Sequence, residues 1–358
     1  MRTIDVDETS DLAVGATLFG AGGGGDPYIG QLMARDAIQR HGAVPLISID
    51  ELPKRGLVLP VAMMGAPTVL VEKIPSGEEL GRVIETMQAY FEQPVVAVMP
   101  AEIGGINATI PFVAAATLGL PVLDADGMGR AFPEIPMCSM SLSGVLANPM
   151  VVTDEKGNVV TLRTIDDDWS ERLSRTATVA MGGASIIALY AMQTQQVPNA
   201  VIPASVSRAI DAGRRLRQAR QATAVDVETL LAPFGAKLLF RGRVTDVLRR
   251  TVAGFARGQA TLAGLDADRG DVLTLDFQNE HLIARRNDRV CATVPDLITL
   301  LDAEAHLPIT TEGIAYGQRV DVLGLPCDPF WRTPQALARV GPAYFGYSLP
   351  YQPLQTTP

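Results

Sequence analysis

Four consecutive glycines, residues 22–25, constrain this chain more than any other feature of its sequence. They lie between two helical patterns, residues 11–18 and 28–40, and lead into Asp26 and Pro27, which suit the N-cap and first position of the second helix. Glycine allows positive φ angles and close approach of the backbone to another molecule. A helix N-terminus adds free N–H groups and the positive end of its dipole. The loop predicts a site for a carboxylate, a phosphate or a developing oxyanion; the alternative is a tight turn between helices.

This glycine loop matches neither of the common nucleotide-binding motifs. The dinucleotide fingerprint GxGxxG follows a strand, whereas the residues before Gly20 are helical in pattern. A P-loop ends in Gly-Lys-Ser/Thr, and the loop contains no lysine. We therefore expect no nicotinamide or flavin cofactor, and an ATP- or phosphate-handling enzyme is the third of three function hypotheses.

Length and charge limit the classes of protein that fit. The chain has 358 residues, enough for two domains, and a net charge of −9, which argues against nucleic acid as a partner. No signal peptide and no apolar run of membrane-spanning length is visible, so no membrane association is expected. Three scattered cysteines do not form a disulfide framework. These features predict a cytoplasmic protein.

The pattern of apolar residues changes near residue 234. Residues 1–233 alternate strands and helices, which predicts a three-layer α/β/α domain with a mainly parallel sheet. Residues 234–330 have a period close to two and predict a smaller β-barrel-like or sandwich domain. Residues 331–358 are expected to pack back on the first domain. The predicted strands are 44–49, 57–64, 94–99, 121–124, 237–252, 255–264, 271–277, 281–287 and 320–326. Besides the two helices that flank the glycine loop, the predicted helices are 75–91, 107–118, 181–193 and 203–220.

Three loops rich in glycine and polar residues directly follow predicted strands of the first domain. They are residues 63–67 with Glu72 beyond them, residues 100–107, and residues 124–134. Ligands of open α/β sheets bind beyond the carboxyl ends of the strands, so these loops are expected to converge on one edge. The substrate-binding candidates are Gly22, Gly23, Gly24, Gly25, Asp26, Gly104, Gly105, Asn107, Arg130, Glu134 and Glu72.

Three acidic residues in these loops are the catalytic candidates. Asp124 and Asp126 alternate and would share one side of an extended segment. Two close carboxylates must share a proton, bind a cation or pair with a base such as Arg130. A shared proton would give a general acid or base, and a divalent metal on Asp124 and Asp126 could activate water. Glu102 is the third candidate; the alternatives are that Asp124 caps a turn, Asp126 pairs with Arg130 and Glu102 lies on the surface.

The remaining chemistry-bearing residues favour structural roles. The three histidines lack the short spacing of a helical zinc site. Cys138 is the cysteine nearest the predicted cleft and is expected to behave as a small apolar residue. Ser185 follows two glycines but lacks the GxSxG elbow of a hydrolase serine.

Four motifs together resemble the S-methyl-thiohydantoin desulfurase-like family, which is associated with hydantoinase- and oxoprolinase-type proteins. They are GAGGGGDPYIG from Gly20, PAEIGGINA from Pro100, DADGMGRAFPE from Asp124 and GPAYFGY from Gly341. The resemblance covers nearly the whole chain. It implies a three-layer α/β domain with a β-barrel-like domain, and hydrolysis at a thiohydantoin carbon that releases a thiol and leaves a hydantoin.

The leading hypothesis is therefore a small-molecule hydrolase acting on a hydantoin- or thiohydantoin-like ring. Asp126 or Glu102 would be the base, the glycine N–H groups would stabilise the developing anion, and Arg130 would hold a substrate carboxylate. The second hypothesis is a non-catalytic ligand-binding subunit or partner of a hydantoinase-type enzyme. Besides a small-molecule substrate, the partners considered are a second copy of the chain and such a hydantoinase-type protein.

Overall fold

The structure is a computed structural model that describes residues 2–65, 69, 73, 76–220, 226–252 and 255–354. Two large sheets organise these residues. No helix within these ranges has the length and apolar character needed to cross a membrane. Glu72 lies outside the described residues.

The central sheet contains the parallel strands predicted for the first half of the chain. Its order is β1-β2-β5-β4-β3-β9-β7-β8, with β10 beside β3. The four strands β2, β5, β4 and β3 are mutually parallel, and antiparallel strands extend the sheet on both sides. The bounds are β1 Arg2–Ile4, β2 Val44–Ile47, β3 Leu57–Gly65, β4 Val95–Pro100, β5 Val122–Leu123, β6 Ala125–Asp126, β7 Met150–Thr153, β8 Val159–Leu162, β9 Ala184–Ala188, β10 Met192–Gln193 and β11 Ile202–Pro203. The short strands β6 and β11 pair with each other.

Helices cover this sheet and pack on one another. They are α1 Val6–Phe19, α2 Pro27–His41, α3 Glu78–Phe91, α4 Ile110–Leu118, α5 Ser139–Leu142, α6 Asp167–Ala180, α7 Ser205–Ala219, α8 Val227–Leu231 and, in the tail, α9 Pro334–Val340. The predicted start of α2 is confirmed: Pro27 is its first residue, and the Asp26 carboxylate accepts the Tyr28 N–H at 2.8 Å. Gly15 in α1 and Gly213 in α7 let these helices touch backbone to backbone, since a Cβ on Gly213 would lie 1.8 Å from the Asp11 carbonyl oxygen.

The predicted helix over residues 181–193 is wrong. The chain turns at Gly182 and Gly183, which have φ angles of 95° and 90°, and then forms strand β9. All five residues of β9 are buried between β3 and β7, with Ile187 paired to Ala62 on one side and to Val152 on the other. A short apolar run fits a buried strand as well as a buried helix, and here the two neighbouring strands decide the outcome.

The second sheet is antiparallel and has the order β16-β15-β14-β13-β12-β19-β17-β18. Its strands are β12 Lys237–Val252, β13 Phe255–Gly264, β14 Val272–Gln278, β15 Glu280–Arg286, β16 Arg289–Thr293, β17 Leu297–Asp302, β18 Pro308–Ile309 and β19 Arg319–Leu325. Among the described residues no pairing joins its edge strands β16 and β18. The sheet is therefore open and is not a closed barrel, which was one of the two predicted forms. Alternation in a sequence does not encode whether the edges of a sheet meet.

One buried apolar cluster joins the two sheets, and a second buried cluster lies within the second sheet. Leu282, Ile283 and Val294 from the second sheet belong to the same buried apolar cluster as the strands of the central sheet. The tail returns to the first part of the chain as well: the Trp331 indole N–H donates to the Met128 carbonyl oxygen at 2.6 Å. This junction places residues of the second sheet beside the loops of the first.

Candidate functional site

A cavity of about 880 Å³, including its open mouth, lies at the carboxyl ends of β3 and β4. Its walls come from both halves of the chain, and its lining includes six residues predicted from the sequence. These are Gly23, Gly24, Gly25, Glu102, Asn107 and Glu134. Residues from the loops that follow β3, β4 and β5, which were predicted to converge, line this one cavity, and the glycine loop joins them there.

Glu102 is the predicted catalytic carboxylate that lines this cavity. It is 7% exposed, and its Oε1 accepts a hydrogen bond from Asn107 Nδ2 at 2.6 Å. Asn107 Oδ1 accepts the Met63 N–H at 2.8 Å, which fixes the amide with its NH₂ group toward Glu102. Burial raises the pKa of Glu102 to about 7, and the Asn107 hydrogen bond opposes that rise. Glu102 can therefore take or give a proton near neutral pH.

The glycine loop forms one wall of the cavity by packing backbone against backbone. Ile106 donates its N–H to the Gly24 carbonyl oxygen at 2.8 Å, and a Cβ on Gly105 would lie 2.4 Å from the Gly25 carbonyl oxygen. Gly24 and Gly25 have φ angles of 86° and 79°, which favour glycine. Within the described residues, their N–H groups have no acceptor. Because both residues line the cavity, these N–H groups are candidate donors to a ligand.

Gly22, Gly104 and Gly105 lie behind that wall rather than on it. Gly22 supports the loop from below, since its carbonyl oxygen accepts the Thr311 N–H at 2.9 Å. A Cβ on Gly104 would lie 2.7 Å from the Ala131 Cβ. Asp26 is occupied as the N-cap of α2.

Asp126 is fully buried and surrounded by backbone donors. Its carboxylate accepts N–H groups from Ile103, Met128 and Gly129 at 2.8–3.0 Å. Burial raises the pKa of Asp126 to about 7, and these backbone hydrogen bonds oppose the rise. The residue joins the loop after β4 to the loop after β6, and its place is behind the cavity wall.

Asp124 points to a different partner from Asp126. Its two carboxylate oxygens accept the backbone N–H of Ser207 at 2.9 Å and the Ser207 hydroxyl at 2.6 Å. These bonds hold the first turn of α7. Across the described ranges, no group of three or more His, Cys, Asp or Glu side chains has an arrangement that could hold a metal ion.

Arg130 is fully buried and joins the two halves of the protein. Its Nη1 donates to the carbonyl oxygens of Pro295 and Asp296 at 2.6 and 3.1 Å, and its guanidinium lies 4.5 Å from the centre of the Phe132 ring. Burial lowers the pKa of Arg130 to about 10, and Glu280 opposes that shift. Its Nη2 has no hydrogen-bond partner in the part of the chain that the structure describes.

The mouth of the cavity carries one cation and several acids. Arg175 on α6 donates its Nε to Glu171 at 2.6 Å and stacks on Phe255 at 4.6 Å. Glu134 accepts the Tyr344 hydroxyl at 2.7 Å, so the tail motif contacts a predicted site residue. Burial raises the pKa of Glu134.

Cys138 and Tyr190 line the cavity beside its apolar residues. Burial raises the pKa of the Cys138 thiol far above neutrality, so it stays protonated, in keeping with its expected apolar role. Tyr190 has a φ of 50° and donates its hydroxyl to the Ile135 carbonyl oxygen at 2.9 Å.

Sequence reasoning missed the residues that the second half of the chain contributes. Glu280 and Glu312 line the cavity together with Asn279, and Arg175 and Glu171 reach it from α6. The predicted strands end at residue 277 and begin again at residue 281, so Glu280 falls between them. The signal that could have revealed it is a charged residue just before the apolar run of residues 282–284, because a buried charge requires a reason.

Comparisons with known proteins agree over the whole chain. The S-Me-THD-like N-terminal domain matches residues 7–164, and the S-Me-THD-like C-terminal domain matches residues 165–354. A crystal structure of a protein from Chromobacterium violaceum is similar, with a TM-score of 0.83 and 24% identity over 99% of this chain and 100% of that one. At that identity the likeness concerns the fold alone. The search of curated proteins found no match.

The domain matches divide the chain at residues 164 and 165, whereas the second sheet begins at Lys237. Our division at residue 234 stays a prediction. Both matched regions contribute to the cavity, the first through the glycine loop and Glu102, the second through Glu280 and α6. This chain belongs to the S-Me-THD-like family, whose motifs its glycine, Glu102 and Asp124 loops resemble.

Proposed function

We propose that this protein is a small-molecule hydrolase that acts on a hydantoin- or S-methyl-thiohydantoin-like ring, with Glu102 as the base that activates water. The observation that carries the proposal is the placement of Glu102 in the cavity: it is buried, it is oriented by Asn107, and its pKa is about 7. A general base is most effective when its pKa lies near the working pH.

The cavity suits a flat, largely apolar ring with polar edges. Met63, Met64, Phe132 and Ile187 give it apolar walls, and the N–H groups of Gly24 and Gly25 offer donors at one side. Donors placed where negative charge develops stabilise an anionic transition state. A ring nitrogen that gains an electron pair during attack is such a position.

The reaction consumes one water molecule. Glu102 takes a proton from water, and the hydroxyl oxygen bonds to the ring carbon that carries sulfur, while the C=N electron pair moves to nitrogen. The C–S bond then breaks, the hydroxyl proton passes to the ring nitrogen, and the departing sulfur receives a proton. The products are a hydantoin carbonyl and a thiol.

The test is turnover of S-methyl-thiohydantoin by the full chain, followed by thiol release and by mass detection of the hydantoin. Glu102→Gln should lower kcat/KM by about 10²- to 10⁴-fold, as expected for loss of a general base. Glu85→Gln, an exposed residue of α3, is the matched control and should behave as the unaltered protein. Equal activity of Glu102→Gln and the unaltered chain would overturn the assignment. Tight ring binding without turnover would favour the ligand-binding subunit instead.

A further inference from the structure

Glu280 brings a second buried carboxyl group to the site from the second sheet. It is the first residue of β15 and is 3% exposed. Asn279, with a φ of 56°, turns the chain immediately before it. The Glu280 side chain lies across Gly23, where a Cβ would be only 1.9 Å from its Oε1. The absence of a side chain at Gly23 therefore leaves room for this carboxyl group.

Glu102 and Glu280 each have an oxygen without a partner. Among the described residues, Glu102 Oε2 and Glu280 Oε2 are buried and accept no hydrogen bond, and both residues line the cavity. Two buried carboxylates that are both ionised would repel each other and would lack solvation. A proton on one of the two groups removes the repulsion and supplies an O–H donor.

We infer that Glu280 is the general acid of the site and that it works with Glu102 as a pair carrying one proton, Glu102 ionised and Glu280 protonated. This inference rests on the proposed function. In it Glu102 takes a proton from water, and Glu280 gives its proton to the departing sulfur.

The charges around Glu280 support this division of roles. Burial raises the pKa of Glu280 well above its usual range, and the charges of Glu102 and Glu312 raise it further, while Arg130 lowers it. Glu102 accepts a hydrogen bond from Asn107 Nδ2, which stabilises its ionised form and makes it the ionised member of the pair. When the environments of two titratable groups push their pKa values apart, one group can act as the base and the other as the acid.

The proton balance closes within the pair. Glu280 loses its proton to sulfur as the C–S bond breaks, and sulfur leaves as a neutral thiol. The proton that Glu102 took from water then passes to the Glu280 carboxylate. The pair returns to its starting state, with one water consumed and no other reactant needed.

The experiment compares two leaving groups in the full chain, S-methyl and S-(4-nitrophenyl) thiohydantoin. Methanethiolate is strongly basic and needs a proton as it leaves, whereas nitrothiophenolate does not. Glu280→Gln should lower kcat/KM for the methyl compound by about 10²- to 10⁴-fold and leave the nitrophenyl compound much less affected. Glu102→Gln should slow both compounds, because both require activated water.

Gly23→Ala gives a second test that keeps every ionisable group. Its backbone angle accepts alanine, but the new Cβ would force the Glu280 carboxyl group away. It should show the same selective loss with the methyl compound. Gly81→Ala, where a Cβ meets open space, is the matched control and should leave the ratio of the two rates unchanged.

The outcomes separate the two proposals. Equal loss with both leaving groups in Glu280→Gln, or no loss with either, would overturn the role of Glu280 while leaving Glu102 as the base. Inactivity of the unaltered chain toward both compounds would overturn the proposed function, and this inference with it.

Discussion

At the scale of single residues, the site depends on how neighbours fix the protonation of Glu102. Asn107 is held from behind by the Met63 N–H and donates to Glu102 Oε1. A donor to a carboxylate stabilises its charged form and lowers its pKa. Burial acts in the opposite direction and is the larger effect, so the pKa of Glu102 settles at about 7.

Asn107→Ala should raise the pKa of Glu102 above about 7, because burial remains and the opposing hydrogen bond is lost. A base works in its ionised form, so kcat/KM rises with pH through that pKa. The rising limb of the pH profile should therefore move to higher pH in the variant, with activity partly recovered in alkaline solution. The measurement is kcat/KM against pH, with Asn199→Ala, an exposed residue, as the control.

A pH profile of Asn107→Ala that falls in height without moving along the pH axis would contradict this account. It would assign Asn107 a packing role alone.

The residue types at the site could be predicted from sequence, but their separate roles could not. Glu102, Asp124 and Asp126 all follow strands and all carry carboxylates. What distinguishes them is their partners: one amide for Glu102, three backbone N–H groups for Asp126, and Ser207 for Asp124. Ser207 is 83 positions from Asp124 and Ile103 is 23 positions from Asp126, and spacing along the chain does not reveal such partners.

At the scale of elements, α7 begins without a cap of its own. Its N-cap residue, Ala204, has a φ of 58° and no side-chain hydrogen bond to offer. Asp124 supplies the missing acceptor from the neighbouring loop by bonding the Ser207 N–H and hydroxyl. A negative charge at this end also suits the helix dipole.

Asp124→Ala should lower the free energy of unfolding by about 1–2 kcal/mol, the usual cost of losing an N-terminal cap. Ser207→Ala, which loses the hydroxyl contact and keeps the N–H, should cost less. Urea denaturation followed by circular dichroism measures both. A stability of Asp124→Ala equal to that of the unaltered chain would show that α7 does not need this cap.

The sequence predicted secondary-structure elements correctly where the alternation of apolar residues was long. It failed where pairing with neighbouring strands decided between helix and strand. Strands β12 and β13 begin and end at the predicted residues, since their alternation runs over ten residues or more. β9 was predicted as a helix because five apolar residues carry too little periodicity, and its identity comes from β3 and β7. Closure of the second sheet into a barrel could not be predicted either, because pairing between edge strands is a property of the folded sheet.

At the scale of the whole molecule, the cavity exists only when both sheets are assembled. The glycine loop is hydrogen-bonded to the second sheet through His281 and Thr311, whose N–H groups donate to the Ala21 and Gly22 carbonyl oxygens at 2.8 and 2.9 Å. Arg130 and Trp331 donate further hydrogen bonds across the same junction, to the carbonyl oxygens of Pro295 and Met128. The glycine-loop wall of the cavity is therefore part of the interface between the sheets.

We expect the site and the fold to be lost together in one transition, because a buried apolar cluster joins the two sheets. The chain has two tryptophans, and Trp331 is buried at the junction, 5.0 Å from the Phe132 ring, whereas Trp169 is 43% exposed. Trp169→Phe would leave Trp331 as the one tryptophan reporting on the junction. Its fluorescence, the far-ultraviolet circular dichroism and the enzymatic activity should then share one urea midpoint. An earlier fluorescence transition would mean that the sheets separate before they unfold, and it would contradict the expectation from the buried apolar cluster that joins Leu282 and Ile283 to the central sheet.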